Sequence, residues 1–282
     1  VIIGDPCKDK TEGLLRAYGR FVQRLGGSYI TSVDSGFNPE DVDIVERETP
    51  YAYGGMAKAG KGGSPSPATA FGVFKGIEAC LEALGEGSSL TGKKVAVQGL
   101  GNVGSVLCHY LSEAGAKLYV SDIKEEKVVK IAQQFNATPV SNEEIHKVEC
   151  DIFSPCGIGG VINKDSINEL NCRVVAGASN NVLAESGLGG ELHKGGILYA
   201  PDYVINAGGV IYVAMEKTEY SKEEILNFVA IVKDRLGQVF SRSKKENLSP
   251  SIISDRIAEE RIALVRNSSS LRNDFRRNIH VP

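Results

Sequence analysis

The chain has 282 residues, 42% hydrophobic and 24% charged, with a formal net charge of −3. These are ordinary globular proportions, and the length suffices for two domains each with its own core. The charge gives no reason to expect nucleic acid or a membrane surface as partner, and no apolar run approaches the length that crosses a bilayer. The six cysteines (Cys7, Cys80, Cys108, Cys150, Cys156 and Cys172) contain no CxxC pair and the four histidines lack metal spacing. That pattern argues against a disulfide framework or a metal site and fits a cytoplasmic protein.

In chain order, Val1-Ile2-Ile3-Gly4 reads as the interior of a buried strand, with neither initiator Met nor signal peptide. The expectation is a chain that begins mid-domain, with part of the protein absent. Leu14, Leu15, Tyr18, Phe21, Val22 and Leu25 mark an amphipathic helix closed by Gly26-Gly27, and Ser28 to Thr31 reads as a strand. A loop follows that carries one prominent acid, Asp34. Asp41, Asp43 and Glu46 read as a solvated helix face. Residues 53–67, rich in Gly, Lys and Ser and ending Ser64-Pro65-Ser66-Pro67, form the candidate hinge. A helix is expected from Ala68 to Leu84, and Thr69 in its first turn reads on its own as a capping residue.

The most informative stretch is Lys93 to Asp122. Val95, Ala96 and Val97 form a short strand of the kind buried on both faces. Gly99-Leu100-Gly101-Asn102-Val103-Gly104 is a GxGxxG turn. A helix follows, with Val103, Val106, Leu107, Tyr110, Leu111 and Ala114 at helical spacing and Gly115 at its end; Leu118, Tyr119 and Val120 make a second strand, and Asp122 ends it. Gly99 permits the tight turn, Gly101 lets the backbone approach a pyrophosphate, and Gly104 lets helix and strand pack closely. A carboxylate at the tip of the second strand accepts hydrogen bonds from ribose hydroxyls and repels a 2′-phosphate. NAD is therefore expected over NADP, a preference Lys124 weakens slightly. Strand, turn, helix and acid together make a dinucleotide site.

Beyond Asp122, Val128, Ile131, Ala132 and Phe135 continue a helical face. Further strands are read at Cys150–Phe153, Arg173–Ala176 and Ile197–Ala200. Alternation of strand and helix predicts an α/β fold with a doubly wound parallel sheet, whose ligands collect beyond the strand C-termini. The strand-end loops 151–157, 176–181 and 202–209 can then face the cofactor. Ser221 and Glu224 form a capping box before Ile225, Phe228, Val229, Val232, Leu236 and Phe240; Ser249-Pro250 opens another helical stretch, and residues 267–282 read as a frayed polar tail.

Several of these stretches together resemble the amino acid dehydrogenases of the glutamate, leucine, phenylalanine and valine group, most closely the leucine, valine and phenylalanine branch. They are residues 1–6, 34–36, 65–70, 99–104, 150–156, 178–181 and 201–209, in the family's order. The resemblance implies a Rossmann domain at 67–212, the remnant of a truncated α/β substrate domain at 1–66, and C-terminal helices at 213–282 packing back on that substrate domain. It implies oxidation of an apolar L-amino acid by NAD⁺ to an imine, which water converts to the 2-oxo acid and ammonia, and it implies a homo-oligomer. Asp34 matches the proton-shuttling catalytic aspartate, a role that needs burial and a neighbouring cation. On the residues alone Asp34 reads as an Asx turn before Gly36; the family motif around it favours catalysis. Thr69 matches a threonine at the nicotinamide amide, Asp122 the ribose-binding acid, Asn206 an asparagine near nicotinamide and substrate, and Asn181 the loop bordering the ribose. Cys156 and Ala178 lie in strand-end loops and join the cofactor set with Gly99, Leu100, Gly101, Asn102, Val103 and Gly104.

The chain departs from the family in three places, one of them the lysine-rich hinge segment Gly54 to Gly63, which does not match closely. The family's catalytic lysine and its substrate-carboxylate lysine precede the segment that Val1 to Pro6 resembles, and Lys8 and Lys10, which follow it, do not stand in for them. Ser64 stands where the family usually has Asn or Asp. The chain as given is accordingly expected to bind NAD with little or no deamination. The competing readings are a non-catalytic NAD-binding short form and another Rossmann enzyme such as a 2-hydroxy acid dehydrogenase. The latter needs a His–acid pair and an Arg, for which His109 and His193 are poor candidates.

Overall fold

The computed structural model describes residues 2–34, 36–56 and 64–278. Most of the candidate hinge, residues 57–63, lies outside the described residues, as do Ser35 and residues 279–282.

Six parallel strands form the main sheet: β3 (Lys94–Gln98), β4 (Lys117–Ser121), β5 (Thr138–Pro139), β6 (Ile152–Pro155), β7 (Val174–Val175) and β8 (Leu198–Tyr199), in the spatial order β5-β4-β3-β6-β7-β8. This is the doubly wound order in which the chain reverses direction across the sheet beside its first strand. The register is set around β3, where Val95 lies opposite Leu118 on one side and Ile152 on the other. Val95, Ala96 and Val97 are wholly buried because helices cover both faces.

One face packs on α3 (Ser66–Ala83), α4 (Asn102–Glu113) and α10 (Ile231–Glu246), with Val73, Ile77, Leu107, Leu111 and Leu236 in a shared core. The other face buries Phe153, Val175, Ile145 and Leu192, the last on α6 (Leu188–Lys194). The helix α5 (Glu125–Phe135) follows β4, and Asn136 ends it in the left-handed conformation. Past β8 come the short α7 (Asp202–Ile205), α8 (Gly208–Met215), α9 (Lys222–Val229) and α11 (Pro250–Asn278). Among the described residues no helix is long and apolar enough to cross a membrane.

The first part of the chain has its own small core. In it Leu15 of α1 (Glu12–Arg24) meets Val42 and Val45 of α2 (Pro39–Glu46), and Ala52 comes from β2 (Ala52–Tyr53), which pairs in parallel with β1 (Thr31–Ser32).

Four expectations are corrected here. Ile2 and Ile3 form no strand and are exposed, because among the described residues the small sheet consists of β1 and β2 and offers this apolar dipeptide no ladder. Asp41, Asp43 and Glu46 are not a solvated face. Asp41 is 6% exposed, pairs with Lys10 Nζ at 2.5 Å and closes a capping box with Asn38; Asp43 accepts the Met56 N–H at 3.0 Å, and Glu46 pairs with Lys217 at 3.1 Å. The helix read across residues 225–240 breaks at Ala230, which caps α9 and starts α10. The polar tail continues as helix to Asn278, since residues 251–278 contain neither Gly nor Pro. The capping box of Ser221 and Glu224 is present, with Glu224 N–H donating to Ser221 Oγ at 3.2 Å.

The C-terminal helices divide their contacts. α10 lies on α3 and α7, and α11 on α6 and β8, so both pack against the main sheet; residues 216–217, just after α8, reach back to 46–54. Phe153 is fully buried on β6 beside the central strand. Phe153→Ala is expected to cost about 3–5 kcal/mol, read by denaturant unfolding, through lost transfer energy and the cavity left behind.

Candidate functional site

The site forms at the carboxyl ends of β3 and β6, the adjacent strands between which the winding of the sheet reverses and a crevice opens. Gly99 leaves β3 with φ +95°, a conformation that favours glycine, and a Cβ there would lie 2.6 Å from Gly157 N in the loop after β6. Gly104 faces Gly99 O so closely that a Cβ would overlap it, and this lets α4 descend onto the strand. Gly101 is the N-cap of α4, and nothing lies within 4 Å of where its Cβ would be. The first-turn N–H groups of α4, which lack intrahelical acceptors, thus begin beside open space. The turn is close-packed at its outer glycines and leaves room at the middle one.

Asp122 stands immediately after β4. Its Oδ2 accepts the Leu100 N–H at 2.7 Å and its Oδ1 the Lys124 N–H at 2.9 Å, with Lys127 Nζ at 3.8 Å. A carboxylate has further lone pairs on both oxygens, so ribose hydroxyls can still donate to it. Leu100 thus gives its amide to Asp122 and buries its side chain, which ties the turn to the acid. Val103 likewise packs against the core. Asn102 is exposed as the first residue of α4.

The other predicted residues are gathered by a series of close main-chain approaches. Cys156 N–H donates to Gln98 O at 2.7 Å, and the Cys156 side chain packs below Gly104, whose Cβ would lie 3.2 Å from its own. Burial raises the Cys156 thiol pKa, so this group stays protonated and packs rather than reacts. Gly160 N–H reaches Asn181 O at 2.7 Å, and Asn181 adopts φ +52°. Asn206, the C-cap of α7, donates through Nδ2 to Asn180 Oδ1 at 2.6 Å and to Ala178 O at 3.3 Å. Gly209 lies directly against Thr69 Oγ1, and Gly208 against Ala68 O. Thr69 is not the helix cap: Pro65 is, and Thr69 Oγ1 donates to Pro65 O at 3.2 Å. The loops carrying 99–104, 156, 178–181, 206 and 69 therefore form one continuous rim.

Asp34 is carried elsewhere, on the small core. It pairs with Phe37 through N–H···O bonds of 2.9 Å in both directions across Gly36, whose φ is +74°. Asp34 is exposed, which corrects the expectation of a buried carboxylate: the turn projects from a core too small to cover it. The nearby cation, Lys10, donates to Gly36 O at 3.2 Å and to Asp41.

The sequence model of the Glutamate/Leucine/Phenylalanine/Valine dehydrogenase family matches residues 62–251. The leucine dehydrogenase of Geobacillus stearothermophilus is 47% identical over 270 residues, covering 96% of this chain and 74% of that protein. The valine dehydrogenase of Streptomyces virginiae is 42% identical over 269 residues, covering 94% of this chain and 75% of that one. The crystal structure of L-tryptophan dehydrogenase from Nostoc punctiforme superposes with a TM-score of 0.82 at 42% identity, over 95% of this chain and 76% of that one. The chain belongs to this dehydrogenase family.

Membership makes it an enzyme of the amino acid dehydrogenase class, on its leucine and valine branch, and disfavours the hydroxy-acid alternative. His109 lies on α4 against Tyr110 and Phe135, 3.5 Å from Glu113.

Sequence reasoning missed three residues. Ile123 and Ile158 follow β4 and β6, the two neighbours of β3, and stand 86% and 84% exposed. Their exposure is seen only in the fold, so no signal in the sequence marked them. Asp202 lies within a stretch that carries the resemblance but had no role attached to it. It is buried, and its carboxylate accepts the Val182 N–H at 3.0 Å and the Tyr203 N–H at 2.8 Å, fixing the chain just past Asn181.

Asp202→Ala is expected to destabilise by about 1–3 kcal/mol for the amide left unpartnered, and to increase proteolytic cutting near residues 180–183. Gly104→Ala is expected to cost about 1–3 kcal/mol in thermal unfolding, because its neighbour is a main-chain carbonyl that cannot rotate away.

Proposed function

We propose that the chain is of the NAD-dependent dehydrogenase kind whose reaction is oxidative deamination of an apolar L-amino acid of the Leu, Val or Phe type to its 2-oxo acid and ammonia, and that these 282 residues by themselves bind NAD with little or no turnover. The observation that carries this is the open space over Gly101 at the start of α4, walled by the Gly99–Gly157 approach and bordered by Asp122. Gly101, Asn102 and Val103 would present N–H groups to the diphosphate and Asp122 would hold the adenosine ribose. A negative charge there disfavours a 2′-phosphate, with Lys124 and Lys127 tempering the discrimination. Ile123 and Ile158 stand beyond strands about 10 Å apart across β3, a separation suited to a purine ring between them. The chemistry a nicotinamide dinucleotide supplies there is acceptance of a hydride.

Thr69, Ala178, Asn181 and Asn206 would border the nicotinamide end. Asn206 spends its Nδ2 donors on Asn180 and Ala178, which fixes the plane of its amide and leaves Oδ1 as an acceptor. Asp34 would pass protons to and from the substrate nitrogen and the attacking water. The separate clusters support a division after residues 1–66, Leu15, Val42, Val45 and Ala52 forming a core apart from that around Ile77 and Val97, whereas the boundary between 67–212 and 213–282 rests on the resemblance, since Leu236 belongs to the larger core. The leucine, valine and tryptophan dehydrogenases among the relatives support an apolar substrate.

Titration of the purified chain with NAD⁺ and NADP⁺ by fluorescence is the primary test, followed by absorbance of NADH with a panel of amino acids. Binding of NAD⁺ in preference to NADP⁺ is expected; failure to bind either sinks the proposal. Asp122→Asn should weaken NAD⁺ binding about 10-fold or more through loss of charge-assisted hydrogen bonds and narrow the preference over NADP⁺. Whatever turnover the chain shows should fall about 100- to 10,000-fold in Asp34→Asn while the NAD⁺ dissociation constant stays unchanged.

A further inference from the structure

Immediately after α8, two consecutive side chains take hold of the segment that carries β2. Lys217 Nζ donates to Pro50 O at 2.7 Å and Ala52 O at 2.9 Å, lies 3.1 Å from Glu46 Oε1, and sits 4.4 Å from the centre of the Tyr53 ring. Glu216 Oε2 accepts the Gly54 N–H at 2.5 Å. Burial raises the Glu216 pKa; the Gly54 N–H opposes that, Glu46 adds to it, Lys217 opposes it and Asp43 adds to it. These contacts bridge two segments more than 160 residues apart in sequence, as the separations of 162, 167 and 165 for the three hydrogen bonds state.

Each end of this bridge leads to the proposed chemistry. β2 pairs with β1, Thr31 opposite Ala52 and Ser32 opposite Tyr53, and Asp34 follows β1 directly. At the other end α8 begins at Gly208 and Gly209, packed against Ala68 and Thr69, two residues after Asn206. A single helix thus runs from the proposed nicotinamide rim to the strand pair that carries the proposed proton shuttle. We propose that Glu216 and Lys217 are positioning residues whose clasp on residues 50–54 sets the placement of Asp34 relative to Asn206 and Thr69. This rests on the function proposed above and adds the element that couples its two halves.

Several contacts converge on one ammonium, which makes Lys217 the sensitive member. Two main-chain carbonyls, a carboxylate and an aromatic face all lose their partner if it is shortened. Arginine retains the charge and the donors, whereas Glu216→Gln keeps an acceptor for Gly54 and should be mild.

The test is amide hydrogen exchange on the full chain with Lys217→Ala, Lys217→Arg and Glu216→Gln, paired with steady-state kinetics. Lys217→Ala should raise exchange at 31–34 and 50–54 more than about tenfold, in keeping with loss of charge-assisted bonds, while exchange in 94–98 and 117–121 stays as in the unsubstituted chain. Where turnover is measurable it should fall about 10- to 100-fold with KM for NAD⁺ unchanged, the signature of misplaced reacting groups, and where it is not the exchange data decide. Lys217→Arg should restore most of both. Unchanged exchange at 50–54, or loss of NAD⁺ affinity equal to the loss of turnover, overturns the proposal. Exchange is read without dinucleotide, so a chain that fails to bind NAD⁺ refutes the functional reading while the clasp is still judged on its own data.

Discussion

Close main-chain approach between the loops after β3 and β6 is the constraint on which the rest of this molecule depends. β3 and β6 are hydrogen-bonded neighbours, so their loops emerge side by side and must pass without side chains between them. Gly99 meets this with a left-handed φ and with Gly157 N 2.6 Å from its absent Cβ. Gly104 meets it from the helix side, seating α4 on Gly99 O. If either position carried a side chain, α4 would lift, the Leu100 amide would leave Asp122, and the space over Gly101 would lose its floor. Binding geometry and helix packing are the same set of contacts here, so neither can be altered alone.

The same device recurs around the rim. Gly177 lies on the main chain of Pro155, Gly159 on that of Asn180, Gly208 on Ala68, and Gly72 on Gly208, whose Cα would lie 3.3 Å from a Cβ on Gly72. These contacts join segments distant in sequence into one surface whose shape is set by backbone rather than by rotamers. Such a surface loses little conformational entropy when a ligand lands on it, because there are few side-chain torsions to freeze. The polar groups that remain are pinned by neighbours: Asn206 by Asn180 and Ala178, Asn181 through its carbonyl to Gly160, and Val182 by Asp202.

What could be read from the sequence follows the range of the forces involved. The β3–α4–β4 unit and Asp122 were legible because strand burial, helical period and glycine conformation are local. The helix α3, with its apolar positions Val73 and Ile77, was legible for the same reason. β2 and β5 were not, since each is two residues long and exists through pairing with a partner elsewhere. Ile2 and Ile3 show the converse: apolar composition fitted a strand, but a strand is defined by its ladder. The acids of α2 were misread because their partners, Lys10, Lys217 and the Met56 amide, lie outside the helix; no periodicity within α2 could reveal them. Asp202 escaped notice likewise, its carboxylate being used by an amide 20 residues upstream.

α8 shows how one short helix serves two kinds of contact. Its sequence, Gly-Gly-Val-Ile-Tyr-Val-Ala-Met, carries no charge, so the helix can lie against α3 and α9 without burying an ionised group. Its first turn is glycine because Ala68 and Thr69 leave no room for more. The charged pair begins only at residue 216, where the helix emerges and meets the carbonyls of 50–52. A carbonyl at a strand end has lone pairs its ladder does not use, and a lysine ammonium with three donors can satisfy two of them and a carboxylate together. The core around Leu15 and the one around Tyr212 share no residue, so apolar packing does not fix the small β1–β2 unit relative to α8. Directional bonds from Glu216 and Lys217 remove that freedom, which is why the polar residues are concentrated at this end of the helix rather than spread along it.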